Sequence, residues 1–113
     1  MPNRIHSWHL YCLRLKLRDS ELDRAEVINR LKSAGIGTSV HWMPLHLHPY
    51  YREQLGCKPS DCPCAASIYP ELISLPLYPD MKAEDVKTVC RSLKNILAQA
   101  RVAVAGVPHA IGG

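Results

Sequence analysis

The stretch Gly35-Ile-Gly-Thr-Ser-Val-His-Trp-Met-Pro-Leu-His-Leu-His-Pro-Tyr-Tyr51 decides how the chain is read. Gly35 stands where a helix ends in a left-handed cap. Thr38 to Trp42 is β-branched and aromatic, which favours an extended strand. Side chains alternate along a strand, so Val40 and Trp42 share one face, expected to be the core face, while Ser39 and His41 point the other way. Pro44 cannot donate to a ladder and ends the strand. The turn that follows carries His46 and His48, and Tyr50 and Tyr51 open the next element. No other segment gathers so many groups able to bind, stack or exchange protons. His41 is thus presented on a rigid element beside a turn with two more histidines. The plainer reading of His41 is a half-exposed strand residue with no task.

Upstream, Trp8 to Leu17 alternates: Tyr11, Leu13, Leu15 and Leu17 on one face, Cys12, Arg14 and Lys16 on the other. This is the pattern of a half-buried strand. His9 and Tyr11 fall on the leucine face and are expected in the core. Asp23 is placed as an N-cap, with Glu26 as its reciprocal partner. Val27, Ile28, Leu31 and Ala34 then form an apolar stripe at helical spacing. Downstream, Pro49 to Leu55 reads as a short helix stopped by Gly56, and Cys57 to Pro63 as a loop. Cys64 to Tyr69 reads as another short helix, ended by Pro70. Leu72 to Leu77, broken by Pro76, reads as a short edge strand. In the last helix, Val86, Val89, Cys90, Leu93, Ile96, Leu97 and Ala100 recur at helical spacing. Lys82 sits at its start, where Ser or Thr would cap better, although Glu84 and Asp85 suit the positive end of the helix dipole.

The resulting order is β-α-β-α-α-β-α. The fold class is α/β of the α+β-like kind: a small, mostly antiparallel three-stranded sheet with helices packed on one face. Residues 1–7 are expected as a disordered lead-in, 8–100 as one domain, and 101–113 as a flexible tail.

At 113 residues and 47% hydrophobic content, the chain fits one small folded domain. No apolar run approaches the ~20 residues that span a bilayer, and the start lacks the apolar stretch of a signal peptide. The expectation is a cytoplasmic protein with no membrane partner. The formal charge of +4 comes from scattered Lys and Arg, which gives no support for nucleic-acid binding. Five irregularly spaced cysteines read as free thiols rather than a disulfide framework.

Several short runs occur in one order: Trp8-His-Leu-Tyr11, Ser33-Ala-Gly-Ile-Gly37, Val40-His-Trp-Met-Pro-Leu-His46, Pro49-Tyr-Tyr-Arg-Glu53, Ile73-Ser-Leu-Pro-Leu-Tyr-Pro79 and Glu84-Asp-Val86. Together they resemble the C-terminal small domain of the DegT/DnrJ/EryC1/StrS aminotransferases. The resemblance runs from Trp8 to Leu97. It implies a fold-type I, pyridoxal-phosphate enzyme that aminates nucleotide-linked keto-sugars, with a glutamate-type amino donor. In that family a lysine holds the cofactor as a Schiff base and a carboxylate pairs with the pyridinium nitrogen. That machinery belongs to the large N-terminal domain. None of Lys16, Lys32, Lys58, Lys82, Lys87 or Lys94 stands in a context resembling the Schiff-base segment, and no glycine-rich phosphate cradle is present.

The implication is that the chain itself binds no pyridoxal phosphate and does not transaminate. It would be an excised domain, a truncated reading frame or a non-catalytic remnant. The resemblance places His41 on the sugar-nucleotide side of the cleft, with His46 and Tyr50 as further substrate-binding candidates. Against these, His46 could instead cap its turn, and Tyr50 and Tyr51 could serve helix packing. The face that meets the large domain should be apolar, which implies a homo-oligomer.

Two readings from other classes stand beside this one. His46 and His48 with Cys57, Cys62 and Cys64 could form a zinc-stabilised binding module. However, zinc knuckles usually have two to four residues between ligands, whereas here the gaps are one residue and Pro63 lies between two of the cysteines. The other reading is a non-catalytic interaction domain.

Overall fold

The computed structural model describes residues 3, 5, 7–17, 20 and 22–105, with side chains described as far as residue 100. Strand β1 is Tyr11–Arg14 and helix α1 is Arg24–Ser33. Helices α2, Pro49–Gln54, and α3, Pro63–Ile68, follow. Strand β2 is Leu72–Leu75 and helix α4 is Ala83–Ala105. Single 3-10 turns occupy Leu45–Leu47, Pro59–Asp61 and Tyr69–Glu71. Among the described residues, no helix is long and apolar enough to cross a membrane.

Helix α1 is defined at both ends by local chemistry. The Asp23 carboxylate accepts from the Glu26 backbone N–H at 2.8 Å. Glu26 does not reciprocate; its carboxylate instead accepts from Arg30 one turn on, at 2.7 Å. At the other end Gly35 has φ +79°, in the left-handed region that glycine enters without a Cβ clash. The Gly35 N–H donates to the Lys32 carbonyl and the Ile36 N–H to the Leu31 carbonyl, both at 2.9 Å. This is a Schellman motif, and it turns Ile36 back into the core beside Leu31. Helix α4 gains half a capping box, because the Lys82 N–H donates to the Asp85 carboxylate at 2.9 Å. It continues through Ala105, beyond the end expected at Ala100, and 106–113 lie outside the described residues.

The core lies between one sheet face and the pair α1 and α4. Val27, Leu31 and Ile73 are fully buried. Leu15, Val89, Leu93, Ile96 and Ala100 complete the contact surface. Val86 and Cys90, expected on the buried stripe of α4, are exposed. Helices α2 and α3 bury no residue and pack against the 3-10 turns instead.

The sheet departs from expectation. It has two antiparallel strands, with Cys12 opposite Ser74 and Leu13 opposite Ile73. The expected third strand is reduced to one bridge, Ser39 to Ser74. The neighbouring rungs have lost their hydrogen-bonding groups. On one side Pro76 has no N–H to donate. On the other the Leu72 carbonyl is taken by the Arg24 guanidinium at 3.1 Å. β2 thus pairs along its length with β1 and meets only Ser39 on its other side, so it remains an edge strand as expected.

Four burial expectations also change. Val40 and Trp42 do not reach the core: Val40 is 46% and Trp42 93% exposed, on backbone that leaves the sheet after the Ser39 bridge. His9 and Tyr11 are exposed too. Trp8 has φ +48°, a left-handed conformation that a strand cannot contain, so β1 begins only at Tyr11.

Candidate functional site

The bridge at Ser39 fixes what the sheet presents on its uncovered face. Ser74 exchanges both backbone hydrogen bonds with Ser39, at 3.1 and 2.8 Å. Its N–H and C=O therefore point away from β1, and Cys12 with Ser74 forms a non-hydrogen-bonded pair, the kind that brings side chains closest. His41 lies two residues beyond Ser39 and shares its face. Cys12, Ser74, Ser39 and His41 thus converge on the side opposite the core.

The contacts bear this out. Cys12 Sγ is 2.9 Å from His41 Nε2 and 3.5 Å from Ser74 Oγ. Ser74 is 3% exposed, and Cys12 is its side chain's one partner among the described residues. His41 itself is half-buried. An open groove of about 410 Å³ begins beside this cluster, lined by His9, Thr38, Ser39, Ser74 and Tyr78 among others. Thr38 Oγ1 is buried there without a partner among the described residues.

The other two candidate residues stand apart from this group. His46 is 9% exposed within the turn Leu45–Leu47, and its Nε2 is buried with no partner among the described residues. Tyr50 is 66% exposed on α2 and meets Tyr51 edge to face, with centroids 5.6 Å apart. Helix packing does not account for its position. His48 is engaged locally, its Nε2 lying 3.1 Å from the Met43 carbonyl oxygen.

The zinc reading finds no geometry. Among the described residues, no three His, Cys, Asp or Glu side chains are placed to hold a metal ion. All five cysteines are free thiols.

Nor do the residues present fit a Schiff-base site for pyridoxal phosphate. Lys16, Lys32, Lys58, Lys82, Lys87 and Lys94 are all exposed. None lines the groove at Ser39 and Ser74, nor a second groove of about 490 Å³ between α1 and α4. Lys87 instead pairs with Glu84 at 2.8 Å.

Sequence reasoning missed Cys12 and Ser74. Alternation along β1 puts Cys12 on the outer face, but only the strand register brings it to His41. Arg24 was also missed. Its guanidinium donates to the Tyr69 carbonyl at 2.6 Å and lies 5.0 Å from the centre of the Tyr69 ring.

Residues 1–94 match the DegT/DnrJ/EryC1/StrS aminotransferase family. The chain belongs to that family. Among its relatives is the spore coat polysaccharide biosynthesis protein SpsC of Bacillus subtilis, 44% identical over 93 residues, covering 81% of this chain and 24% of SpsC. The uncharacterized MJ1066 of Methanocaldococcus jannaschii is 45% identical over 96 residues, covering 85% of this chain and 25% of MJ1066. Among solved structures, Spr1654 of Streptococcus pneumoniae, named as a sugar aminotransferase, superposes with a TM-score of 0.71 at 30% identity. That match covers 81% of this chain and 23% of Spr1654. The TM-score is the same for its pyridoxal-phosphate form. This DegT-family chain thus spans about a quarter of the length of the relatives it matches.

Proposed function

We propose that the chain is the C-terminal small domain, residues 8–100, of a pyridoxal-phosphate aminotransferase that aminates a nucleotide-linked keto-sugar. In this reading it forms the substrate side of the cleft, and His41 contacts the sugar nucleotide. The lysine anchor, the partner of the pyridinium ring and the binding of a glutamate-type donor belong to sequence outside these residues. The chain alone does not transaminate. Its setting is the cytoplasm, in a polysaccharide or related sugar pathway, which accords with the name of SpsC.

The observation that carries this reading is the uncovered sheet face. It holds a half-buried imidazole two residues beyond the Ser39 bridge, whose Ser39 and Ser74 line an open groove, in a chain whose lysines all stand at the surface. The exposed Val40, Trp42, Leu45 and Tyr50 supply the apolar surface that the rest of such an enzyme would cover. In its absence a second copy of the chain could cover the same surface, and we assign it a homo-oligomeric habit. His46 and Tyr50 remain secondary substrate contacts in this proposal.

Grafting tests the assignment. Residues 8–97 replace the matching segment of a full-length family member whose keto-sugar amination can be measured. The chimera is expected to aminate its substrate. The change His41→Ala in it should raise KM about tenfold or more, with a smaller effect on kcat. A folded chimera in which His41→Ala leaves KM unchanged would remove His41 from the substrate site.

A further inference from the structure

We propose that Cys12 is a positioning residue: through its contact with His41 Nε2 it holds the imidazole in the Nδ1–H tautomer, so that His41 meets its ligand as a hydrogen-bond donor. The reasoning starts at Ser74, whose side chain is almost wholly buried and whose one partner among the described residues is Cys12 Sγ at 3.5 Å. A buried hydroxyl hydrogen without an acceptor is costly. If the thiol donated to Ser74, the hydroxyl hydrogen would have no acceptor among these groups. We therefore take Ser74 as the donor and the sulfur as its acceptor. The single thiol proton is then free to donate to His41 Nε2 at 2.9 Å.

An imidazole nitrogen that accepts a hydrogen bond carries no proton, so in the neutral ring the proton sits on Nδ1. Nδ1 has no partner among the described residues. In the proposed arrangement the relay runs from Ser74 O–H to Cys12 S–H to His41 Nε2, and ends on an Nδ1–H that has no partner among the described residues. Such a group selects an oxygen acceptor, a phosphoryl or keto oxygen, over a donor such as an amine. That last step rests on the proposed role of His41 as a substrate contact; the tautomer does not.

Long-range nitrogen–proton correlation spectra of the 15N-labelled 113-residue chain test this, recorded at about pH 7.5, above the ordinary imidazole range and below the ordinary thiol range. The expected result is that the His41 Nδ1 carries the protonated-nitrogen shift. Cys12→Ala should move His41 toward the Nε2–H form that free imidazole side chains favour. Cys12→Ser, which keeps a hydroxyl donor in place, should retain Nδ1–H. Ser74→Ala, which removes the first link only, gives a second folded background in which Nδ1–H should weaken. A protonated Nε2 in the unmodified chain, protons on both nitrogens, or a tautomer indifferent to Cys12→Ala in a chain that keeps its amide dispersion would overturn the proposal. A silent His41→Ala in the grafted enzyme would instead withdraw the substrate contact and leave the tautomer result standing.

Discussion

Arg24 links the start of α1 to the start of β2. Its guanidinium donates to the Tyr69 and Leu72 carbonyls, and its charge lies against the Tyr69 ring. Both carbonyls belong to backbone that turns from a 3-10 segment into a strand, where ladder partners are missing. Hydrogen bonds from a charged donor contribute more than neutral ones, and deleting the donor strands two acceptors. Arg24→Met, which keeps much of the stem, should lower unfolding free energy by about 2 kcal/mol in urea titration. An unchanged midpoint would mean that water replaces the guanidinium without loss. The composition of the chain gives no hint of this role. Arg24 sits one residue after an N-cap, a position that reads as a solvated first turn, and its partners lie 45 and 48 residues away.

At the scale of elements, the readable features were those with short-range causes. The Asp23 cap, the buried pair Val27 and Leu31 and the left-handed Gly35 all depend on residues within two turns of one another and appear as read, whereas Ala34, expected on the same stripe, is exposed and Glu26 turns to Arg30. Gly35→Ala tests the last of these. A Cβ at φ +79° meets no neighbouring atom, so the cost is conformational rather than steric crowding by the fold. It should amount to about 1 kcal/mol, seen as a lower thermal midpoint with α1 helicity retained. A neutral change would show that the Schellman turn relaxes freely.

The third strand had the same local credentials, yet only Ser39 pairs. What removed its rungs was a proline on the partner strand and an arginine from another helix, neither of which is visible in Thr38 to Trp42. The same limit applied to the site. Alternation correctly placed His41 on the outer face, but its contact with Cys12 required the register of β1 on β2.

For the molecule as a whole, three of the misjudged residues share one cause. Val40, Trp42 and Tyr11 have core-like character but stand in the open, on the sheet and the segment that follows the Ser39 bridge, where α1 and α4 do not cover them. Sequence patterning reports which side chains avoid water. It does not report whether the covering surface lies within the same 113 residues. In a chain that spans about a quarter of its relatives' length, that surface can belong to sequence elsewhere. The core that is present needs no such help: Leu31, Val27 and Ile73 are sealed between one sheet face and two helices.

The division of labour proposed for this chain, substrate contact without a cofactor anchor, is tested most directly at its lysines. The chain is incubated with pyridoxal phosphate, reduced with borohydride and digested, and each lysine is read by mass spectrometry across a range of cofactor concentrations. Because Lys16, Lys32, Lys58, Lys82, Lys87 and Lys94 are all exposed, label should spread over them in parallel, with none saturating ahead of the rest. One lysine labelled to completion at a concentration that leaves the others untouched would contradict the assignment.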